Sequence, residues 1–317
     1  MVKLFKKISL LIVVLFISGC TKKSFLIYEG VAMTIPYKII IGDLIDKKSG
    51  QLISKKINET FSITDRIFNN WNPNSEISFI NQASENLELS ISLTLFEFLE
   101  EVETVFLLTK GLFDPTILPL KDLWLSKLKE GSVPSEEEVQ MYKEAVGFEK
   151  IRLNKQNLTI TKSNSNTRID LCGIAKGHTV DLLIKTLKDN RICNAYVEWG
   201  GEIKTIGKHP IGRYWQVIPI KTLNTPIEIN SCAIASSGNY EQEWTVENKT
   251  YTHIIHPKTG YPLEINEKSV QATTVLHKKC LYADAMATTL MLFPSKEESQ
   301  LWAECQGLTT YIKGGDS

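Results

Sequence analysis

Apolar residues recur along this chain of 317 residues with two different periods, which together predict a mixture of helices and strands. Spacings of three and four residues predict a helix from about Lys47 to Phe68, with an apolar face formed by Leu52, Ile53, Ile57, Phe61 and Ile67. The polar segment at residues 71–75 ends this helix. Similar spacing predicts further helices at residues 92–109, 136–146, 177–187, 283–292 and 297–306.

Short runs of β-branched and aromatic residues, separated by Gly and Pro turns, predict strands. They lie at residues 34–41, 151–153, 158–161, 195–198, 215–220, 232–236, 269–276 and 309–312. Helices and strands do not alternate regularly, which argues against a doubly wound fold. No linker or internal repeat divides the chain. We therefore expect one α+β domain with a mostly antiparallel sheet and flanking helices.

The first twenty residues have the pattern of a bacterial export signal. Lysines at positions 3, 6 and 7 precede an apolar run at 8–17, and the segment from Ile17 to Cys20 resembles a lipobox. This pattern predicts a signal peptide at 1–19, a lipidated Cys20 with a tether at 20–27, and the folded domain at 28–317. The protein is then expected in the cell envelope, lipid-anchored to a membrane and facing the periplasm. An ordinary secretory signal or an uncleaved anchor is the alternative.

Charge and cysteine usage exclude some classes of function. Lys+Arg and Asp+Glu are equal at 36 each, and no basic run with interleaved aromatic residues appears, which argues against nucleic acid as a partner. Five cysteines follow Cys20, an odd number without CxxC spacing. They indicate neither a zinc site nor a complete disulfide framework.

Residues 253–288 carry the strongest chemical signal. His253 precedes Pro257 and Gly260, which suggests an imidazole held in a turn, where it accepts a proton near neutral pH. Asp284 and Thr288 are four apart, so on a helix both direct oxygens from one face and suit Mg²⁺. A hydrogen-bonded turn histidine, a helix cap and an interior threonine are the structural alternatives. The functional reading indicates phosphoryl or nucleotidyl chemistry.

A second signal is the glycine-rich segment from Asp170 to Gly177. It places Gly173 and Gly177 at the start of a predicted helix, where unpaired backbone N–H groups and the helix dipole favour an anion. Lys176 adds a positive charge, so the segment suits a pyrophosphate. A tight strand-to-helix turn with a solvated lysine explains the same residues, because short glycine-rich strings are weak evidence.

Taken in order, eight clusters of the chain resemble the ApbE family of FAD:protein FMN transferases. They lie at residues 30–34, 71–78 with Asn81, 113–119, 170–181, 200–201, 236–241, 253–260 and 283–288. The resemblance spans nearly the whole mature chain and implies a single ApbE-type, T-fold-like domain. It also implies a Mg²⁺-dependent enzyme that cleaves FAD, releases AMP and attaches FMN by a phosphoester bond to a Thr or Ser of a target protein.

The resemblance also assigns individual residues. The catalytic base falls on His253, and the metal ligands fall on Gly173, Asp284, Ala287 and Thr288. The flavin contacts fall on Met33, Trp71, Leu112, Phe113, Asp114, Asp170, Lys176 and Ile255. The implied partners are FAD and flavin-acceptor membrane proteins, such as subunits of a sodium-translocating NADH:quinone reductase.

Two positions depart from the family pattern. His256 stands where the family usually has Asp, so an acceptor that would orient His253 or position a second metal is replaced by an imidazole ring. This change bears on a second-metal hydrolytic activity more than on transfer. Cys172 replaces a small residue and is interpreted as a packing residue, because no base lies beside it in sequence. A periplasmic FAD pyrophosphatase and a non-catalytic FAD-binding lipoprotein remain alternative functions.

Overall fold

The computed structural model describes residues 24–219, 222–239 and 242–315. The predicted signal peptide, Cys20 and the first tether residues lie outside these ranges. Within them, no helix combines the length and the apolar composition needed to cross a bilayer.

A seven-stranded antiparallel sheet forms the centre of the fold, with smaller sheets around it. The strands are β1 (Ser24–Ala32), β2 (Ile35–Ile45), β3 (Leu89–Ser90), β4 (Ile151–Asn154), β5 (Thr159–Lys162), β6 (Ala195–Trp199), β7 (Glu202–Ile206), β8 (Trp215–Val217), β9 (Ile227–Ile229), β10 (Ala233–Gly238), β11 (Glu243–Val246), β12 (Lys249–Ile255), β13 (Pro262–Glu264), β14 (Val270–His277) and β15 (Thr309–Gly314). The order in the large sheet is β1-β2-β6-β7-β10-β14-β15.

Eight α-helices accompany these strands in the described residues. They are α1 (Lys47–Phe68), α2 (Glu76–Gln82), α3 (Leu93–Leu108), α4 (Leu118–Lys129), α5 (Glu136–Lys143), α6 (Ala175–Asp189), α7 (Cys280–Leu290) and α8 (Lys296–Cys305). A 3-10 turn covers Phe148–Lys150.

The core lies between the large sheet and its helices. On one face, α1 and α6 cover β2 and β6, and side chains such as Ile57, Leu183 and Val197 are removed from solvent there. On the opposite face, the β8–β9 ribbon covers β7 and β10 through Trp215 and Ile229. Burial of apolar side chains on both faces explains why the central strands contain many buried residues.

The mostly antiparallel α+β prediction is confirmed, and several helices begin where their caps predict. α1 matches the predicted bounds, and the Asp46 carboxylate accepts hydrogen bonds from the backbone N–H groups of Lys48 and Ser49. The helices predicted at 92–109, 177–187, 283–292 and 297–306 are found with ends shifted by a few residues. The helix predicted at 136–146 is shorter and ends at Lys143.

Other elements escaped the sequence analysis. α2 begins at Glu76, directly after the segment at residues 71–75 that was predicted to end α1, and Ser75 caps it. α4 carries Pro119 in its first turn, a position that tolerates a residue without an N–H group. β1 begins at Ser24, so the sheet includes the last four residues of the stretch predicted as a tether. The strands β7 and β12 were also missed, and both carry residues of the candidate site.

Candidate active site

The candidate site is centred where α6 crosses α7. The backbone N–H of Gly177 donates to Oδ2 of the buried Asp284 at 2.9 Å. A Cβ atom at position 177 would lie 2.4 Å from the carbonyl oxygen of Cys280 and 2.8 Å from Cβ of Asp284. Only glycine permits this approach without movement of the helices. The crossing therefore brings the Asp284 carboxylate to the first turn of α6.

The same crossing brings Gly173 beside Thr288. An ideal Cβ on Gly173 would be 3.4 Å from the Thr288 hydroxyl oxygen and 3.3 Å from the ring of Phe113. The carbonyl of Ala287 accepts a hydrogen bond from the Thr273 hydroxyl at 2.7 Å, which fixes α7 against β14. Three predicted metal-site residues, Gly173, Asp284 and Thr288, thus lie around one crossing although 115 residues separate Gly173 from Thr288 in sequence.

The donor set around this crossing suits a hard cation. In the part of the chain that the structure describes, no group of three or more His, Cys, Asp or Glu side chains is arranged to hold a metal ion. The available donors are one carboxylate (Asp284), one hydroxyl (Thr288) and backbone carbonyls. Such oxygen ligands fit Mg²⁺, which also retains waters and binds substrate phosphates, and do not fit a structural zinc site.

Lys176 belongs to an ion pair that the sequence analysis missed. Its Nζ lies 2.7 Å from Oε1 of Glu202, the first residue of β7, and this carboxylate is almost fully buried. Burial raises the pKa of Glu202 to about 8, the charge of Lys176 opposes that rise and the charge of Asp284 adds to it. Gly200 lies against the alkyl chain of Lys176, since a Cβ on Gly200 would be 3.3 Å from Lys176 Cδ. The β6–β7 hairpin therefore positions the Lys176 ammonium.

A second buried ion pair holds the start of the glycine-rich loop. Lys121 of α4 reaches Oδ2 of Asp170 at 2.7 Å, and Oδ1 of Asp170 accepts from the backbone N–H of Cys172 at 2.9 Å. Burial alone would raise the pKa of Asp170, but the charge of Lys121 and the hydrogen bonds from Cys172 and Lys121 together outweigh it and lower that pKa. The loop thus has an ion pair at each end. Lys121 carried no sequence signal, because only the tertiary fold brings α4 to this loop.

Cys172 lies in the same loop and is not activated. Burial, and then the neighbouring Asp170 carboxylate, raise the pKa of its thiol to about 12, although part of the side chain reaches the surface. A thiol with so high a pKa is a poor nucleophile at neutral pH. This agrees with the prediction that Cys172 is not a nucleophile, whereas its surface exposure does not support a packing role.

The structure corrects the local setting of His253. This residue lies on strand β12, and the turn begins only at His256. Nδ1 of His256 accepts from the backbone N–H groups of Lys258 at 3.2 Å and Thr259 at 3.4 Å. An Asp carboxylate makes the same kind of turn. His256 therefore performs the turn-forming role of the residue it replaces, and only its neutral ring offers that acceptor.

Met33 occupies a strained position beside a cleft. The β1–β2 hairpin turns at Met33 and Thr34, which have φ angles of 48° and 66°, in a region that non-glycine residues seldom adopt. A cleft of about 370 Å³ lies below the hairpin, lined by Val31, Ala32, Met33, Tyr37, Asn58, Phe61 and Asp65. Trp71 is 81% exposed, which leaves its ring faces open for stacking on a planar ligand.

The remaining predicted flavin contacts use their side chains mainly inside the protein. Leu112 packs against the small cluster that includes Ile254 and Leu292. Ile255 lies in the cluster formed by α4. The Asp114 carboxylate accepts from the backbone N–H and the hydroxyl of Thr116, and burial raises its pKa. Any ligand contact by these residues would come from their backbone or from a side-chain edge.

Comparison with known proteins identifies the family and the fold. A sequence model of the ApbE family matches residues 33–312. The chain is 42% identical to a FAD:protein FMN transferase of Chlamydia pneumoniae and 44% identical to one of Chlamydia muridarum, and each alignment covers 98% of both proteins. Flavin transferase ApbE from Vibrio cholerae has a TM-score of 0.79 at 27% identity over 93% of this chain and 98% of that one. The apo flavinyl transferase ApbE of Pseudomonas stutzeri has a TM-score of 0.83 at 21% identity, over 93% and 92% of the two chains, and supports the fold alone.

Proposed function

The chain belongs to the ApbE family and transfers FMN from FAD to protein, and we propose that it does so with Mg²⁺ at the crossing of α6 and α7. The observation that carries the metal proposal is the contact between Gly177 and Asp284, which places a buried carboxylate at the anion-binding end of a helix. Asp284, Thr288 and the carbonyls of Gly173 and Ala287 would hold the cation. A bound Mg²⁺ would neutralise charge on the FAD pyrophosphate.

The chain's own groups supply binding and orientation. Lys176 lies in the first turn of α6 and, held by Glu202, supplies a positive charge for the pyrophosphate. The N–H groups of Ala175 and Gly177 in this turn already donate to the Leu171 carbonyl and to the Asp284 carboxylate. The cleft beside Met33 and the exposed ring of Trp71 are the surfaces proposed for the flat rings of FAD. Oriented binding of this kind brings the reacting phosphorus close to the acceptor hydroxyl.

His253 is proposed to move the proton. A Thr or Ser hydroxyl of the acceptor protein forms a new bond to the FMN phosphorus, while the bond from that phosphorus to the bridging oxygen breaks. The hydroxyl proton passes to the neutral imidazole of His253, and AMP leaves with the bridging oxygen. His256 is not suited to this role, since its Nδ1 already accepts from two backbone N–H groups.

We also propose a location and a class of partner. The composition of residues 1–20 supports export and lipidation at Cys20, which would place the enzyme on a membrane facing the periplasm. Acceptors would then be membrane proteins with an extracytoplasmic Thr or Ser, such as subunits of a sodium-translocating NADH:quinone reductase.

One assay tests these proposals together. The protein is incubated with FAD, Mg²⁺ and cell membranes, and a denaturing gel is scanned for fluorescent bands. A covalent flavin band that requires Mg²⁺ and is absent with His253→Ala supports the mechanism. Release of FMN and AMP without a band would indicate a pyrophosphatase, and tight FAD binding without turnover would indicate a binding protein. Band formation at the wild-type rate in a chelator would contradict the proposed metal site.

A further inference from the structure

The register of the large sheet separates two ends of the molecule. One end is marked by a row of residues that are neighbours on adjacent strands β1, β2, β6 and β7, namely Leu26, Ile41, Ala195 and Ile206. A second row, Gly30, Tyr37, Trp199 and Glu202, marks the other end, which carries the Met33 turn and the Lys176 ion pair. We call the first the anchor end, because β1 starts there, and the second the site end.

The outward face of β1 and β2 is apolar at the anchor end. Phe25, Ile27 and Leu44 are 48%, 60% and 56% exposed, and Ile27 pairs with Ile40 across the two strands. Further along the same face, Glu29 and Lys38 form an ion pair at 2.8 Å. The β8–β9 ribbon packs on the outward side chains of β7 and β10, Ile203 and Ile234, and leaves Phe25, Ile27 and Leu44 exposed. Three exposed apolar side chains therefore lie where the chain enters the sheet, and Val31, which is 70% exposed, lies on the same face of β1 at the site end.

A second segment extends this surface. The backbone N–H of Lys208 donates to the side chain of Asn194 at 2.7 Å, and the N–H of Gly42 donates to the Asn194 carbonyl at 2.7 Å. These bonds hold the loop after β7 beside the end of β2. The loop exposes 75% of Ile211 and carries the cationic side chains of Lys208 and Arg213.

We propose that the anchor end, formed by Phe25, Ile27, Leu44 and Ile211 with Lys208 and Arg213, lies against the surface of an anionic lipid bilayer. The proposal rests on lipidation at Cys20. Only three residues separate Cys20 from Ser24, so even a fully extended chain keeps the start of β1 within about 14 Å of the lipidated residue. Apolar side chains at the interface, combined with Lys and Arg near anionic headgroups, strengthen such attachment.

This orientation fixes the height of the active site. β1 contains nine residues, so the Met33 turn lies at most about 27 Å above Ser24, and lower when the strand tilts to bring Phe25, Ile27 and Leu44 to the bilayer. The flavin site then faces away from the bilayer, and an acceptor hydroxyl must lie in an extramembrane segment that reaches this level. An acceptor residue within the bilayer would be out of reach.

Depth-dependent fluorescence quenching tests the proposal on the full-length lipidated protein. The protein is placed in vesicles of phosphatidylethanolamine and phosphatidylglycerol whose acyl chains are brominated. Ile27→Trp and Ile211→Trp each add a tryptophan at the anchor end. Phe79→Trp is the matched control, because Phe79 is 56% exposed and belongs to α2, which follows the end of α1 remote from Ser24.

We expect the added emission at positions 27 and 211 to be quenched about threefold more than the added emission at position 79, because side chains at an interface lie about 5 to 10 Å into the boundary. Equal quenching at all three positions overturns the proposal, as does burial of position 27 in a dimer formed through β1. Mass spectrometry shows whether the Cys20 peptide carries a lipid. Low quenching of a lipidated protein then indicates that the surface contact is absent, and low quenching of an unlipidated protein indicates that the anchor is absent. An unchanged FAD affinity shows that each variant is folded.

Discussion

The backbone N–H of Gly177 and the carboxylate of Asp284 form a 2.9 Å hydrogen bond that leaves no room for a side chain at position 177. The bond joins the first turn of α6 to the middle of α7, so it ties the start of α6 to the carboxylate that we propose as a Mg²⁺ ligand. The distance between the two helices is set by the close approach of Gly177 to the backbone of Cys280.

Gly177→Ala should therefore separate the helices and impair transfer. The new methyl group would meet backbone atoms of Cys280, which cannot rotate away, and overpacking of this kind costs about 1 to 3 kcal/mol. Thermal unfolding and the rate of flavin transfer are the measurements. Gly50→Ala is the control, because its methyl group would meet only the flexible end of Leu26. Equal effects of both substitutions would contradict this account of the crossing.

Asp284→Asn should remove the Mg²⁺ response while keeping the fold. The amide oxygen still accepts from Gly177, but the negative charge that attracts the cation is lost. We expect transfer to fall by at least about a hundredfold at low Mg²⁺, a loss of about 2.7 kcal/mol in transition-state stabilisation. A titration of the transfer rate with Mg²⁺ measures this. Wild-type rates at low Mg²⁺ would show that the cation binds elsewhere.

Lys176 and Glu202 allow stability and binding to be separated. Lys176→Met should reduce the free energy of unfolding at pH 9 by about 3 kcal/mol, because at that pH it leaves the ionised, buried Glu202 carboxylate without its ammonium group. It should also weaken FAD binding by about 1 to 3 kcal/mol, as expected for a lost charge-assisted hydrogen bond. Adding Glu202→Gln should restore much of the stability but not the FAD affinity.

Denaturant unfolding measures the free energy of unfolding, and flavin fluorescence measures FAD affinity in the same samples. Lys121→Met with Asp170→Asn provides a comparison pair at the other end of the loop. If the double variant at 176 and 202 recovers wild-type FAD affinity, Lys176 does not contact the phosphates.

His253 and His256 should respond differently to substitution. His253→Ala should lose about two to four orders of magnitude in transfer, the usual share of general-base catalysis, with little change in FAD affinity. His256→Asn keeps a side-chain acceptor for the N–H groups of Lys258 and Thr259 and should remain active. The membrane-labelling assay compares them. An inactive His256→Asn beside an active His253→Ala would reverse the assignment of the base.

His178 should make the protein sensitive to acid. Its ring packs against Phe68 and Phe98 with centroid distances of 5.1 and 4.3 Å, and its buried Nε2 makes no hydrogen bond within the described part of the chain. Burial lowers the pKa of His178 to about 4, and the charge of Lys279 also lowers it. The charges of Asp181 and Glu101 raise this pKa but do not outweigh burial.

The folded-state pKa of His178 lies below the unfolded value of about 6.5, so the neutral ring contributes stability above pH 6.5 that is lost as the pH falls towards 4. His178→Phe removes the titrating group and keeps an aromatic ring. Its melting temperature should fall less than that of the wild type between pH 7 and pH 5. Parallel pH dependences in the two proteins would assign the acid sensitivity to other groups.

The parts of the fold that the sequence predicted are those with local signals. α1 has a helical stripe and an Asp46 cap, and both are properties of neighbouring residues. The glycine-rich loop likewise predicted the start of α6. β12 was missed because its apolar and polar residues alternate weakly. Pro257 and Gly260, which follow the strand, led to the prediction that His253 lies in a turn. These residues form a strand because they pair with β11 and β13, which the local sequence does not reveal.

The site shows the same division. The spacing of four residues predicted that Asp284 and Thr288 share one face of a helix, and both lie on α7. Their assignment as metal ligands came from the resemblance to the ApbE family. Glu202 and Lys121 could not, since each acquires its role from a partner far along the chain. The partners of a buried ion pair have no regular spacing in the sequence that would predict their contact. Glu202 follows Gly200 and Gly201 and therefore resembles an ordinary turn residue. Only the tertiary fold distinguishes these side chains from solvated ones.

The strand order has a consequence for biosynthesis. β1 and β15 lie at opposite edges of the sheet, and β10 in its interior pairs with β14, which begins at Val270. A nascent chain therefore keeps an open strand edge at β10 until β14, which ends at His277, has been made, and such edges promote misassociation. α7 emerges later still. FAD thus has no complete site to occupy until Thr288 has been made, and it cannot act as a template for folding of the earlier segments.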